Sequence, residues 1–227
     1  MKRIVCVCAI LLALVMGAEA AWGDSGLSLK VGTPGIGMDL TLGLGEKVNV
    51  RLSGNYFSYT YDDYEFDEDD EDIDEVVDEI EVTLDLMSLG ALLDWHPWGG
   101  GFRLSAGAFY NGNEASLTVT AGDTIEIDDE DYEVQSLDGQ VNFDSFAPYA
   151  GIGWGNAAKE GSHWHFVFDL GVMLQGSANV SLTATATDGS RQSQLNAALA
   201  NEADELEDEV EDYTLYPVLT LGLGYTF

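Results

Sequence analysis

The sequence has few of the residues that usually build disulfides, metal sites or nucleic-acid interfaces. Cysteine occurs only at Cys6 and Cys8. Both lie in a segment that we expect to be removed, which predicts no disulfide, no thiol metal site and no lipid anchor in the mature protein. Lysine and arginine total 8 against 41 aspartates and glutamates, for a formal net charge of −33. This balance argues against nucleic acid as a partner and favours cations.

Long hydrophobic runs are also missing. No stretch approaches the ~20 continuous apolar residues that a membrane-spanning helix needs. The apolar run from Ile4 to Met16 follows Lys2 and Arg3 and precedes Ala18-Glu19-Ala20, which is the pattern of a cleaved secretory signal peptide. We therefore predict a signal peptide at residues 1–20 and a single mature domain at residues 21–227. Export is implied, without a helical anchor.

The C-terminal stretch, Tyr213 to Phe227, alternates with a period of two up to the final residue. One face is apolar or aromatic throughout, and the other carries mainly threonine and glycine. An apolar face toward lipid, a small and polar face toward a lumen, and aromatics at the interfaces are typical of a transmembrane β-barrel strand. A strand of a soluble sandwich can also have one apolar face, but a chain that ends on an aromatic residue favours the barrel.

Further segments alternate in the same way. They are Leu27 to Gly32, Ile36 to Leu44, Val48 to Tyr61, Val82 to Trp95, Phe102 to Thr120, Val141 to Gly155 and Trp164 to Thr187. Short turns alternate with three long acidic connections, at residues 62–81, 122–140 and 188–212, as in outer-membrane barrels. A turn at Thr33-Pro34-Gly35 makes the count eight and places both chain ends in the periplasm. The sequence thus predicts an all-β fold, an eight-stranded antiparallel transmembrane β-barrel with long acidic extracellular loops.

Six charged residues fall on the inward faces of these strands. They are Lys30, Asp39, Arg51, Asp94, Arg103 and Asp169. Unpaired charges at membrane depth are costly, so their equal numbers predict a salt-bridged interior, and side chains roughly fill a barrel of about eight strands. Two interpretations stay open. The six residues either pack together, fix the register and plug the lumen, or they form a relay of alternating charge for a small zwitterion or cation.

Most acidic residues lie in the three long connections. Residues 62–81 hold fourteen acids and 123–138 hold eight, whereas 188–212 hold nine and one basic residue, Arg191. The densest runs are Asp67, Glu68, Asp69, Asp70, Glu71 and Asp72, and then Asp128, Asp129, Glu130 and Asp131. At the mouth of a barrel such runs would concentrate cations, bind Ca²⁺ or Mg²⁺ loosely, bridge to lipopolysaccharide phosphates through divalent cations, or simply keep the loops solvated. They lack the glycine and spacing of an EF-hand loop.

The last long connection differs from the others. Between Gln192 and Val210, apolar residues recur every three or four positions, and alanine and glutamate are frequent. This spacing predicts a short amphipathic helix. The helix would either fold over the barrel mouth as a lid or shield the strand ends.

Enzyme chemistry has little support. The three histidines, His96, His163 and His165, all map to the periplasmic end of the predicted barrel, where interfacial packing accounts for them. His163 and His165 alone would make an incomplete metal site. We find no nucleophile with a plausible base and therefore predict no enzymatic activity and no cofactor.

Several short motifs resemble the CarO-type family, the carbapenem-associated, ornithine-uptake outer-membrane proteins of Gram-negative bacteria. The motifs are Val31-Gly32-Thr33 with Gly35 and Gly37, Pro97-Trp98-Gly99, Ala106 to Tyr110, Gly122-Asp123-Thr124, Ala147-Pro148-Tyr149 with Gly151 and Gly153, Gly171 to Gly176 followed by Val180-Ser181-Leu182, Glu202 to Glu205, and Tyr216-Pro217-Val218. The resemblance covers nearly the whole mature chain. It implies an eight-stranded barrel associated with uptake of ornithine and other small amino acids. The run from Asp62 to Glu81 is more acidic than the family pattern, which bears on the choice of solute.

Two functions follow from the sequence. The first is an outer-membrane barrel that assists passage of small cationic or zwitterionic solutes, such as ornithine-like basic amino acids, with the acidic loops as an entry funnel. The alternative is a non-transporting structural or surface-interaction barrel, whose acidic loops bind divalent cations, lipopolysaccharide or another partner. Both place the protein in contact with outer-membrane lipid.

Overall fold

The computed structural model describes residues 25–65, 78–120, 124–128, 130–156, 163–210 and 213–227. These ranges contain twelve strands and one helix. They are β1 (Ser25–Gly32), β2 (Gly35–Gly43), β3 (Val48–Glu65), β4 (Asp78–Trp95), β5 (Phe102–Asn111), β6 (Glu114–Thr120), β7 (Thr124–Ile127), β8 (Glu130–Phe143), β9 (Phe146–Trp154), β10 (Trp164–Leu174), β11 (Ala178–Ala186), α1 (Gln192–Val210) and β12 (Leu215–Thr226). The predicted signal peptide lies outside the described residues.

Eight of the strands close into an antiparallel barrel in the order β1, β2, β3, β4, β5, β9, β10 and β12. The cylinder closes where β12 pairs with β1, with Leu29 opposite Leu223. Because the number of strands is even, β1 begins and β12 ends at the same end of the barrel. We call this end the lower end and the opposite end the upper end. The predicted count of eight barrel strands is confirmed, including the turn that separates β1 from β2.

A belt of exposed apolar side chains surrounds the barrel. Leu29, Phe166 and Leu221 are exposed by 60%, 79% and 59%, whereas their neighbours along each strand point inward. Aromatic residues border the belt, with Trp95, Trp98, Trp154 and Trp164 at the lower end and Tyr56, Tyr110, Phe146 and Tyr213 at the upper end. An apolar band between two aromatic girdles is the surface of a barrel that spans a lipid bilayer.

Three predicted strands are each two strands in the structure. The chain breaks at Gly112-Asn113, at Asp144-Ser145 and at Gln175-Gly176-Ser177. At the first break the Asn113 side chain accepts a hydrogen bond from the Met87 amide at 3.2 Å, and at the third Gly176 adopts a positive φ of 73°. The lower halves β5, β9 and β10 remain in the barrel, and the upper halves β6, β8 and β11 leave it. The period of two continues across each break, so the period alone does not reveal it. The apolar residues do change from even to odd positions between β5 and β6, and from odd to even positions between β8 and β9.

The upper halves build a second sheet, which we call the extension sheet. Its order is β3, β4, β6, β8 and β11, with β7 paired to β8. β3 and β4 are 18 residues long, so they span the barrel and continue above it. The predicted loop at residues 122–140 is therefore wrong in part, because it contains β7 and most of β8. In β8 the buried Tyr132 and Val134 alternate with the exposed Asp131 and Glu133, so the carboxylates reach solvent while the backbone pairs.

The predicted helix is confirmed as α1, from Gln192 to Val210. Its buried residues Leu195, Ala198 and Leu199 pack against Tyr132, Val134 and their neighbours in the extension sheet. The side chains of Gln192 and Glu207 accept hydrogen bonds from the amides of Ala186 and Val180 in β11, at 2.9 and 2.8 Å. These contacts favour shielding of the strand ends over a lid on the barrel mouth.

No helix within the described ranges is long and apolar enough to cross a membrane.

The docking of α1 depends on Leu195, which is 0% exposed. We expect Leu195→Ala to weaken docking by about 2–5 kcal/mol, because it leaves a cavity under the helix. The expected result is faster amide hydrogen exchange across residues 192–210 with the barrel strands still protected. Gln194→Ala, at an exposed position of the same helix, is the matched control. Equal exchange in the two variants would contradict the packing described here.

Candidate functional site: the barrel lumen

The six charged residues predicted for the lumen meet in one cluster at its centre. Each comes from a different barrel strand, namely β1, β2, β3, β4, β5 and β10. All six side chains are buried, with exposed fractions between 0% and 7%. The structure thus brings together the whole set that the sequence placed inside, and we call it the lumen cluster.

Arg51 lies at the centre of the lumen cluster. It contacts Asp94 through two parallel bonds, Nε to Oδ2 at 2.8 Å and Nη2 to Oδ1 at 3.1 Å. Its Nη1 atom also donates to Asp39 Oδ2 at 3.2 Å and to Asp169 Oδ2 at 3.1 Å. One guanidinium therefore bridges three carboxylates from three strands, which the fork geometry of arginine allows and a lysine ammonium does not.

The two other cations complete the charge balance. Lys30 Nζ lies 2.7 Å from Asp39 Oδ1 and donates to Ser53 Oγ at 2.9 Å. Arg103 Nη2 donates to Asp169 Oδ1 at 2.8 Å, and its Nη1 donates to the carbonyl of Gly155. Three positive and three negative groups are thus joined in a continuous network. Because each ion has a partner of opposite charge within hydrogen-bonding distance, the free-energy cost of burying the charges is offset.

Small and hydroxyl-bearing residues make room for this network, and sequence reasoning did not single them out. Gly153 stands between Arg103 and Asp169 in the sheet register. A Cβ atom at Gly153 would lie 2.9 Å from both Arg103 Nε and Asp169 Oδ1. Ser105 bonds to Asp94, and Thr220 donates to Asp169 Oδ2 at 3.3 Å. A serine, threonine or glycine at an inward position next to a charge is the signal that would have found them.

An apolar layer covers the lumen cluster on its upper side. Leu92, Phe109, Ala147, Tyr149, Met173 and Val218 form this layer. The rings of Phe109 and Tyr149 meet edge to face, with centroids 5.4 Å apart. The alternation places Phe109, Met173 and Val218 on inward faces, but it does not show that they meet at one height.

The free space above the lumen cluster is small. A cavity of about 10 Å³ lies there, bordered by Lys30, Arg51 and Asp169, by Phe109, Tyr149 and Met173 of the apolar layer, and toward the upper rim by Pro34, Asn55, Ser88 and Asn113. This volume is room for about one water molecule. Side chains therefore fill this part of the lumen almost completely, with the apolar layer on one side of the remaining space and polar residues on the other.

The lower end of the lumen is closed by a third set of polar contacts. His96 Nδ1 lies 3.0 Å from the Gly100 carbonyl and 3.1 Å from that of Phe102, and Asn49 Nδ2 lies 3.1 Å from His96 Nε2. Carbonyl oxygens only accept, so Nδ1 carries the proton and Nε2 accepts from Asn49. Burial lowers the pKa of His96, which agrees with a neutral ring. Nδ1 therefore bonds within the turn after β4, and Nε2 joins this turn to β3.

The other histidines lie at the same end, as predicted. His163 is exposed and stacks on Tyr225 with ring centroids 5.6 Å apart. His165 is partly buried, with its ring against Gly224. Within the ranges that the structure describes, no three histidine, cysteine, aspartate or glutamate side chains are grouped to hold a metal ion. The absence of enzymatic activity and of cofactors stays a prediction.

The acidic residues predicted to attract cations are only partly described. Asp67, Glu68, Asp69, Asp70, Glu71, Asp72 and Asp129 lie outside the described residues. Asp128, Glu130 and Asp131 lie at the β7–β8 hairpin, which belongs to the extension sheet and not to the barrel. There Asp128 Oδ2 accepts from Asn201 at 2.9 Å, and the Asp131 carbonyl accepts from Arg191 at 3.0 Å. These residues attach the hairpin to α1, and their attraction for cations stays a prediction.

Comparison with known proteins supports the fold. No family model matches the chain, and no curated protein does. Two crystal structures from Acinetobacter baumannii are similar to it. CarO2 has a TM-score of 0.55 and 24% identity, and CarO has a TM-score of 0.53 and 22% identity; each similarity covers 90% of this chain and 98% of the other. The resemblance to CarO-type proteins is therefore confirmed at the level of the fold, and the chain has the fold of a small outer-membrane β-barrel.

Proposed function

We propose that this protein is an outer-membrane barrel with a sealed lumen, which does not conduct solutes in its resting form and acts through its upper surface. The observation that carries this proposal is the small free volume of the lumen. The lumen cluster and the apolar layer leave a cavity of about 10 Å³. An amino acid is many times larger than the single water molecule that such a cavity holds.

The energetics of the lumen cluster support the same proposal. A solute could pass only if the contacts of Arg51 with three carboxylates were separated. Breaking one buried ion pair costs about 3–5 kcal/mol when the partner stays uncompensated. Arg51 joins β3 to β2, β4 and β10, so opening the centre would also remove cross-links between barrel strands. The cluster therefore works best as a plug that fixes the register.

A second candidate function is passage of small cationic or zwitterionic solutes, such as basic amino acids. The observation in its favour is the polar lining of the cavity between the lumen cluster and the upper rim. Asn55 donates to Ser88 at 2.9 Å, and Asn111 and Asn113 are buried near the upper rim. An amino acid could bind to such groups if the apolar layer and the lumen cluster parted. This candidate requires a second conformation of both groups of residues.

Solute-driven swelling of liposomes that contain the purified barrel distinguishes the two candidates. We expect no swelling with ornithine, glycine or glutamate above that of protein-free liposomes. An open porin reconstituted in parallel shows that the assay responds, and the folded fraction is measured by heat-modifiable migration on gels. Swelling with ornithine well above glutamate would overturn the sealed-lumen proposal and establish a cation-selective path.

A further inference from the structure

The extension sheet has one face made entirely of polar residues, which we call the polar face. Residues that pair across the five strands form three rows on this face. From β3 to β11 the rows are Ser58, Asp85, Glu114, Asn142 and Asn179; Thr60, Thr83, Ser116, Gln140 and Ser181; and Asp62, Glu81, Thr118, Asp138 and Thr183. The opposite face carries apolar residues such as Leu137 and Leu182, which pack toward α1. The two faces are therefore sharply different in chemistry.

The register of β3 and β4 shows where the polar face points. In β4, Leu89, Leu93 and Trp95 face lipid. The β3–β4 ladder continues without a shift of register from Trp95 to Asp78. Residues two apart lie on one face of a strand, so Asp85, Thr83 and Glu81 lie on the lipid-facing side of the sheet, above the membrane. The polar face thus continues the lipid-facing wall upward.

The change of chemistry occurs at one height. In β3, Tyr56 belongs to the upper aromatic girdle, and Ser58 is the next residue on the same face. Aromatic girdles mark the boundary between hydrocarbon and headgroups. The polar face therefore begins where the acyl chains end, and it stands beside the headgroup layer of the surrounding lipid.

The polar face is not flat. A shallow cavity of about 210 Å³ lies on it, lined by Ser116, Thr118, Asp138, Gln140, Ser181 and Thr183. These side chains come from three neighbouring strands, and Gln140 is the direct cross-strand partner of Ser116 and of Ser181. Thr118 donates to Asp138 Oδ1 at 3.1 Å. The cavity thus presents hydroxyl, amide and carboxylate groups in a fixed arrangement.

The chemistry of the polar face selects a class of ligand. Its fifteen residues include no lysine or arginine, so it has no cation to bind a phosphate directly. Hydroxyl, amide and carboxylate groups donate to and accept from the hydroxyls of sugars. The five carboxylates of the face, Asp62, Glu81, Asp85, Glu114 and Asp138, accept from sugar hydroxyls and form the stronger, charge-assisted bonds.

We propose that the polar face binds the sugar part of lipopolysaccharide in the outer leaflet around the barrel, with the cavity on β6, β8 and β11 as its centre. This inference rests on the outer-membrane location given under the proposed function, and it names the partner of the upper surface. The sugars of lipopolysaccharide stand at the height where the polar face begins. A soluble polysaccharide would have no reason to meet a face that continues the lipid-facing wall.

The test uses the purified, delipidated barrel and the core oligosaccharide released from lipopolysaccharide, with EDTA present. Isothermal titration calorimetry is expected to show binding to the unchanged protein and at least a tenfold weaker affinity for the double variant Gln140→Ala, Ser181→Ala. The matched control is Ser193→Ala, Gln194→Ala, which removes the same two side chains from an exposed part of α1. Its affinity should equal that of the unchanged protein.

Several results would overturn the proposal. They are no binding of the core oligosaccharide, equal loss in the two double variants, or undiminished binding in Gln140→Ala, Ser181→Ala. Binding that disappears with EDTA would assign the contact to phosphates bridged by divalent cations. A parallel titration with lipid A, which lacks the core sugars, that binds equally well would assign the contact to the lipid A part. The swelling assay is independent of this titration. A barrel that conducts solutes and still binds the oligosaccharide would overturn the sealed-lumen proposal but would support the inference made here.

Discussion

Arg51→Met is expected to lower the free energy of unfolding of the barrel by about 3–5 kcal/mol. The substitution keeps an unbranched side chain, shorter and uncharged, and leaves Asp39, Asp94 and Asp169 without their shared cation. These carboxylates are exposed by 0%, 2% and 2%, so water does not replace the lost contacts. The expected result is a large shift of the urea unfolding midpoint, measured by tryptophan fluorescence under conditions where folding is reversible.

The matched control for this prediction is Lys47→Met, which removes a positive charge from an exposed position between β2 and β3. Its effect should stay within about 0.5 kcal/mol, as for ordinary surface substitutions. If Arg51→Met were no more harmful than Lys47→Met, the lumen cluster would not stabilise the barrel. The interpretation of the six residues as a relay would then gain support over the plug.

Gly171→Ala and Tyr149→Ala are expected to destabilise the barrel separately and to compensate each other in part. A Cβ atom at Gly171 would lie 2.6 Å from Tyr149 Cζ and 2.7 Å from Cε2, so the ring must move. We expect a cost of about 1–3 kcal/mol for Gly171→Ala from overpacking, and about 3–5 kcal/mol for Tyr149→Ala from the loss of a buried ring. In the double variant the alanine methyl enters space that the ring has left.

Chemical unfolding of the two single variants and the double variant gives the interaction energy directly. We expect the double variant to be more stable than the sum of the single effects by at least about 1 kcal/mol. Gly189→Ala is the matched glycine control, because a Cβ atom there meets nothing within 4 Å. Simple additivity of the two changes would show that Tyr149 does not occupy the place above Gly171 that the structure gives it.

The barrel itself was predictable because lipid and lumen impose opposite chemistry on alternate residues. In β4 the adjacent Leu92 and Leu93 allow either register, and the predicted one, with Asp94 inside, is confirmed by exposed fractions of 2% for Asp94 and 55% for Leu93. A shift by one residue would have placed Asp94 in lipid. The pairing of β12 with β1 was also predictable, because a closed antiparallel barrel needs an even number of strands.

The extension sheet was only partly predictable from the same signal. The period of two continues when a strand leaves the barrel, and at Gly176 the apolar positions keep their parity. At Gly112 they change from even to odd, so a change of phase, and not of period, marks that departure. The strand β8 was hidden because its carboxylates resemble a solvated loop in sequence, although Tyr132 and Val134 are buried between them.

The lumen, too, was predictable only in part. Its six charges could be assigned from the parity of single strands, since each lies on an inward face. Their partners depend on the height at which strands distant in the chain meet. Arg51 bonds to Asp169, which is 118 positions away, and no local pattern relates the two residues. The same is true of Phe109 and Tyr149, whose contact closes the upper side of the cluster.

The hydrogen bonds from β11 to α1 have a consequence for how the protein meets other polypeptides. β11 is the last strand of a sheet that stands above the membrane, and the outward amides of such a strand invite a neighbouring polypeptide to add a further strand. Gln192 and Glu207 occupy two of these amides with side-chain oxygens. The helix thus protects the protein from unwanted association with its neighbours, so a helix-deleted form should aggregate even with its barrel intact.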